Sequence, residues 1–256
     1  LKPIQRPFLP AGSRKAGALA RGGAMAIAMA VVAAWAVITL VYTFRADLYD
    51  LLIVHMTAKW YKAVLARLPK ESRLLDIGIG TATALARNAS AVKEKKLSIV
   101  GIDYESKYIV KAAAVAKSAG LQKQLTVLCK SIYEEELPRT FAGAAAFDAA
   151  YFSGSLTLMP DPPAALRAAA SMLKDGGLIY VTQTFQNRPS PMMERLKPAL
   201  KYLTTVDFGR VTYKADVDKI IDAAGMEVLE NEPVPGSIDT QAQTARLIVI
   251  RSKKEK

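Results

Sequence analysis

RLLDIGIGTATAL, Arg73 to Leu85, is the stretch on which the fold turns. An apolar run from Leu74 to Ile77 ends in two glycines one residue apart, Gly78 and Gly80, and an alanine-rich segment follows. The pattern reads as strand, tight turn, helix. Glycine suits such a turn because it takes φ > 0 without strain and lets the backbone approach a ligand closely. A helix opening near Thr81 would aim free N–H groups at a negative group docked there. A second apolar strand, Leu97 to Ile102, closes on Asp103, 23 residues beyond Gly80. Nucleotide-binding α/β folds place a carboxylate there to accept hydrogen bonds from ribose hydroxyls.

The turn also says which ribose-bearing ligand is expected. A dinucleotide fingerprint, G-x-G-x-x-G, would need glycine where Thr83 stands, and Asp76, two residues before the first glycine, is charged rather than apolar. Both departures count against NAD. An acid at Asp76 suits a ligand carrying an ammonium group, as S-adenosylmethionine does. On these residues the segment resembles motif I of the class I S-adenosylmethionine-dependent methyltransferases, D/E-x-G-x-G-x-G, followed by their acidic second-strand motif. The third family glycine is Ala82 here. The resemblance runs from about residue 46 to residue 251. It implies an α/β, Rossmann-like sheet, mostly parallel with a C-terminal antiparallel hairpin, and S-adenosylmethionine as cofactor. It implies Asp76, Gly78, Gly80, Thr81, Asp103 and Tyr104 as cofactor residues. At the end of the third strand, where the family often holds an acid for the adenine amino group, this chain has Ser131, with Ile132 placed to pack on the ring.

Composition narrows the chemistry. The 256 residues suffice for one α/β domain and something more. One cysteine, Cys129, excludes an intrachain disulfide, and one histidine, His55, makes His-rich zinc sites and Ser-His or Cys-His hydrolases poor candidates. His55 falls on a helical pattern among apolar residues and reads as a packed or capping side chain. The net charge of +12 carries no basic stripe interleaved with aromatics, so no nucleic-acid partner is expected.

The chain divides into three parts. Residues 1–21 hold Pro3, Pro7, Pro10, Lys2, Arg6, Arg14, Lys15 and Arg21 with no acid, similar to the mature end of an organelle-targeting region. Leu1 is not a methionine, and trimming, or a start inside the gene product, is expected. Residues 22–45 contain the uncharged run Gly22 to Phe44, bracketed by Arg21 and Arg45. At about 1.5 Å per helical residue it reaches roughly 34 Å, enough for the roughly 30 Å hydrocarbon layer, so a transmembrane helix is expected. Basic residues before the span, against Arg45, Asp47 and Asp50 after it, place the N-terminus on the matrix or cytoplasmic side. The folded part would then face the intermembrane space of a mitochondrion, open to small solutes, or the endoplasmic reticulum lumen, poor in cofactor. The inner mitochondrial membrane is the preferred reading, the endoplasmic reticulum the alternative.

Residues 46–256 form the remaining domain. Asp47 to Leu68 reads as an amphipathic helix covering the cofactor pocket, with Tyr49, His55, Met56, Trp60 and Tyr61 as candidate lining. Thr81 to Val92 reads as the first crossover helix, Glu105 to Ala119 as the second, Leu125 to Cys129 and Phe147 to Phe152 as strands. Asp161, Pro162 and Pro163 read as a helix start. Lys174 to Gly177 is a K-D-G-G turn before the strand Leu178 to Thr184, and Met192 to Leu203 a helix interrupted by Pro198. Glu230 to Thr244 has no helical period, so the strands Met226 to Leu229 and Ala245 to Ile250 should pair antiparallel.

A methyl sulfonium needs little acid–base help, since alignment and exclusion of water do most of the work. Catalytic residues are therefore left unassigned, with Tyr49, His55 and Tyr151 as bare candidates. The expected function is a membrane-anchored methyltransferase acting on a small lipophilic molecule or a membrane-protein neighbour. The alternative is a catalytically inactive accessory subunit of a mitochondrial inner-membrane complex, suggested by Ala82 and Ser131. A dinucleotide-dependent reductase is the third reading.

Overall fold

The computed structural model describes residues 29–36, 39, 53–143, 146–196 and 210–253. The chain separates into two units, Leu1–Leu48 and Tyr49–Lys256. In the first, residues 29–36 are helical, with Met29, Val31, Val32 and Trp35 exposed. Apart from Thr39, which is also helical, the rest of the expected span, the basic tail and Tyr49 lie outside the described residues. Among the described residues no helix is long and apolar enough to cross a membrane.

The second unit is a seven-stranded sheet with helices on both faces. Its strands are β1 Arg73–Ile77, β2 Ser98–Asp103, β3 Leu125–Cys129, β4 Phe147–Ser153, β5 Leu173–Gln186, β6 Met226–Pro233 and β7 Gln243–Ser252. The order across the sheet is β3-β2-β1-β4-β5-β7-β6. The first five run parallel, and β7 runs antiparallel to both β5 and β6. The chain from 234 to 242 that joins β6 to β7 contains no helix, as a reversed neighbour requires.

The central strand is buried on both sides, which is why Leu74 to Ile77 reads as a continuous run rather than an alternation. Leu74 belongs to one core and Leu75 and Ile77 to the other. The helices are α1 His55–Arg67, α2 Thr83–Ala86, α3 Ala89–Glu94, α4 Ser106–Ser118, α5 Glu136–Thr140, α6 Pro162–Ser171 and α7 Lys214–Ala223. Trp60, Val64 and Leu65 of α1 share the first core with Ala112 and Ala116 of α4. Leu166 and Ala169 of α6 share the second with Val217 and Ile221 of α7.

Two expectations, the first crossover helix and the K-D-G-G turn, are corrected. The first crossover is two short helices, α2 and α3, rather than one. Asn88 breaks it, because its amide donates to Ala84 O at 3.1 Å and to Ala58 O of α1 at 2.9 Å, tying the break to the neighbouring helix. Lys174 to Gly177 is a bulge within β5 rather than a free turn, with Phe147 opposite Leu173 and Ala149 opposite Leu178. The helix after β5 covers residues 191–196, and the remainder of its expected range lies outside the described residues.

α1 is fixed at several points along its length. The Lys95 ammonium donates to Leu65 O, Ala66 O and Leu68 O at 2.6, 2.8 and 2.6 Å, satisfying carbonyls that a helix end leaves free. Trp60 Nε1 donates to Ser237 Oγ at 3.0 Å, and Arg67 pairs with Glu230 and Glu232 of β6. The helix therefore forms a set wall over the carboxyl ends of β1 and β4.

Candidate functional site

At the end of β1 the chain turns through Gly78 at φ +74° and Gly80 at φ +58°. The two glycines serve different ends. A Cβ on Gly80 would meet nothing within 4 Å, whereas one on Gly78 would lie 2.6 Å from Ser155 Cβ. Gly80 thus leaves open ground for a ligand, and Gly78, expected to do the same, is needed for packing. Ser155 closes that contact by donating to Ile77 O at 2.5 Å. Ala82, where the family pattern has its third glycine, also adopts a left-handed φ of +57°. That conformation costs an alanine about 1–2 kcal/mol, a strain held at the turn by burial in the core.

Asp103 closes onto this turn. Its Oδ2 accepts the Gly80 N–H at 3.0 Å and its Oδ1 the Glu105 N–H at 2.9 Å. It is 8% exposed. Burial raises its carboxyl above the ordinary value, and the two backbone donors pull it back down. Each carboxylate oxygen keeps a further lone pair for a ligand donor.

A cavity of about 110 Å³ sits beside the turn, lined by Gly78, Ile79, Gly80, Thr81 and Ala82, by Val54, Thr57 and Tyr61 of α1, and by Ser153 of β4. Thr57 and Tyr61 are four residues apart and share a helix face, with Val54 three before. That spacing was the available signal for Thr57, whose polarity reads as surface. Asp76 lies beneath the wall rather than on it, fully buried. Tyr61 OH donates to its Oδ2 at 2.8 Å, and its Oδ1 has no partner. Burial, the largest cause, lifts the carboxyl to about 7; the Tyr61 hydrogen bond lowers it and the nearby Asp103 charge raises it. Tyr61 packs edge-on against Tyr151, with ring centroids 5.0 Å apart, and Tyr151 OH shares a hydrogen bond with Thr182 Oγ1 at 2.9 Å. Ser153 Oγ is also buried and lies against the hydroxyls of Tyr61 and Tyr151.

The other expected site residues fall elsewhere. Tyr104 is 81% exposed at the end of β2. Ser131 follows β3, donating its N–H to Glu134, which also pairs with Lys130. Ile132 is buried in the core with Leu137 and Phe141. His55 is exposed rather than packed, because α1 starts there and turns this side chain to solvent. Met56 packs on the core, and Trp60 packs against Gly154. Tyr151 is locked in the sheet face by Thr182 and Tyr61.

The turn, the clipped acid and the strand order together define the class I S-adenosylmethionine-dependent methyltransferase fold. A family model described as a methyltransferase domain matches residues 52–231, and the chain belongs to that family. Among curated proteins it is similar to the ubiquinone biosynthesis O-methyltransferase of Marinobacter nauticus, 29% identical over 163 residues. That alignment covers 62% of this chain and 65% of the relative, so the chain spans less than two thirds of the relative's length. Among solved structures, the SpnF cyclase aligns with a TM-score of 0.59 at 22% identity, over 76% of this chain and 81% of that one. An O-methyltransferase (NcsB1) from neocarzinostatin biosynthesis, in complex with S-adenosylmethionine and 2-hydroxy-5-methyl naphthoic acid, aligns with a TM-score of 0.58 at 20% identity. It is matched over 81% of this chain and 57% of its own. At these identities the likeness concerns fold.

The residues fit the cofactor of the family on two observations. Gly80 has open space where a side chain would stand, and on the same side of the sheet Asp76 Oδ1 is buried without a partner. Buried polar atoms rarely stay unpaired, so a ligand or a bound water is implied there.

Proposed function

We propose that this chain is an active methyltransferase, tethered to a membrane by residues 22–44, whose acceptor is a small lipophilic molecule methylated on oxygen. The observation that carries the catalytic part is the open space at Gly80 together with the buried, unpartnered Oδ1 of Asp76. When bound, S-adenosylmethionine supplies an electrophilic methyl group on a sulfonium. In this reading Gly80 and Thr81 border its aminoacyl end, Gly80 by leaving room for it, with Asp76 acting from beneath. Asp103 accepts from the ribose hydroxyls with its remaining lone pairs. Tyr104, Ser131 and Ile132 border the adenine, with Ser131 as an uncharged partner. The small volume beside the turn suits the aminoacyl end alone, since whole small-molecule sites run to about 300–1,000 Å³.

Oxygen as the acceptor atom is supported by the curated relative's printed activity, and lipophilicity by the uncharged run before the domain. The inner mitochondrial membrane remains the preferred address on charge asymmetry, with the endoplasmic reticulum as the alternative. Isothermal titration of the purified protein with S-adenosylmethionine tests the cofactor. Binding with a stoichiometry near one supports it, and absence of both heat and thermal protection favours the inactive accessory subunit. Extraction of the full chain from membranes by detergent but not by alkaline carbonate would support the tether; release by carbonate would refute it.

A further inference from the structure

Asp76 is a buried carboxyl with one donor and, among the described residues, no compensating cation. The titratable groups that face it are Tyr61 from α1, Tyr151 from β4 and the like-charged Asp103 from β2. Behind Tyr151 stands the neutral Thr182, and Ser153 lies against the hydroxyls of Tyr61 and Tyr151. An ionised carboxylate here has a single hydrogen bond on Oδ2 and none on Oδ1, so burial disfavours the charged form. The carboxyl is nevertheless one side-chain layer from the cavity, because Tyr61 and Ser153 are both wall residues. A cation placed in that cavity would favour the charged form of Asp76.

We propose that cofactor uptake is coupled to proton release: Asp76 carries a proton in the free protein and gives it up when the ammonium of the ligand's aminoacyl end enters beside Tyr61 and Ser153. This inference rests on the cofactor reading above and adds to it a linkage that the reading does not require. Its balance is simple. The O–H bond of the Asp76 carboxylic acid breaks, the proton leaves to buffer, and the carboxylate formed is stabilised by the ligand's ammonium across the Tyr61 side chain. Tyr61 keeps its own proton throughout, since burial and Asp76 hold its hydroxyl well above the ordinary value.

The carboxyl near 7 sets the pH dependence. Full ionisation on binding releases about nine-tenths of a proton at pH 6, about half at pH 7 and less than a tenth at pH 8.5. The test is isothermal titration of the full chain with S-adenosylhomocysteine, which carries the aminoacyl end without the reactive methyl, in buffers of low and high ionisation enthalpy at these three pH values. The buffer-dependent heat counts protons. Methylthioadenosine, which lacks the aminoacyl end, should bind without releasing them. Asp76→Asn should abolish the buffer-dependent heat. Tyr61→Phe, which removes the one donor, should keep the release and move it to higher pH. A merely structural role for Tyr61 would not move that profile. Homocysteine-nucleoside binding with no buffer dependence at pH 6 overturns this inference while leaving the cofactor reading in place. No binding in any buffer overturns both.

Discussion

The same buried carboxyl makes the stability of the apoprotein depend on pH in an unusual direction. Asp76 rises from an ordinary 3.8 to about 7 in the folded protein, so the folded state holds the proton more tightly than the unfolded chain. Its contribution to stability is then fully present below about pH 4 and is lost as pH rises through 7. At about 1.4 kcal/mol per pH unit, the total swing is ~4 kcal/mol, of which ~3 kcal/mol falls between pH 5 and pH 8.5. For a domain of this size 1 kcal/mol moves Tm by about 2–4 °C, giving roughly 6–12 °C over that range. Asp76→Asn keeps the shape and an acceptor for Tyr61 but cannot titrate. Melting curves of wild type and variant, followed by near-ultraviolet circular dichroism every half pH unit, isolate the effect because other groups titrate alike in both. The wild type should lose ~3 kcal/mol relative to the variant from pH 5 to pH 8.5. A difference that stays constant within about 1 kcal/mol across the range refutes the reasoning.

Three further outcomes are expected. Gly80→Ala should lower melting by only the strain of a left-handed alanine, about 1–2 kcal/mol, yet weaken cofactor binding tenfold or more by calorimetry, because its Cβ enters open ground. Gly78→Ala should destabilise by more than Gly80→Ala in urea titration, because its Cβ meets Ser155 Cβ at 2.6 Å in a packed interior. Lys95→Met should cost about 1.5–3 kcal/mol by urea unfolding, since three carbonyls at the end of α1 lose a charged donor. Hydrogen exchange should then quicken along α1 before it does in β1.

The order of elements around β1 was legible because burial on both faces leaves a run that is apolar except for Asp76, and because glycine punctuates it. The reversed last strands were legible from a missing crossover. What sequence could not give was the division of labour inside the turn. Gly78 and Gly80 look alike as letters, and only Ser155, 77 residues after Gly78, distinguishes them. Asp76 reads as an exposed ligand for a cation, yet it lies under Tyr61, because the parity of β1 and the approach of α1 are set by tertiary packing. The break at Asn88 is of the same kind: helix propensity favours continuity, and a backbone carbonyl on α1 overrides it. His55 reads as a packed or capping side chain on periodicity, and it is exposed.

β7 lies between β5 and β6 and runs against both. The strand synthesised last within the sheet is therefore an interior one. Until residues 243–252 leave the ribosome, β5 offers a bare edge and β6 has no strand beside it, so the sheet cannot be completed in the order of translation. Final closure waits on a ribbon threaded in from the C-terminal side, and a nascent chain stalled before it would present two unpaired edges to its neighbours.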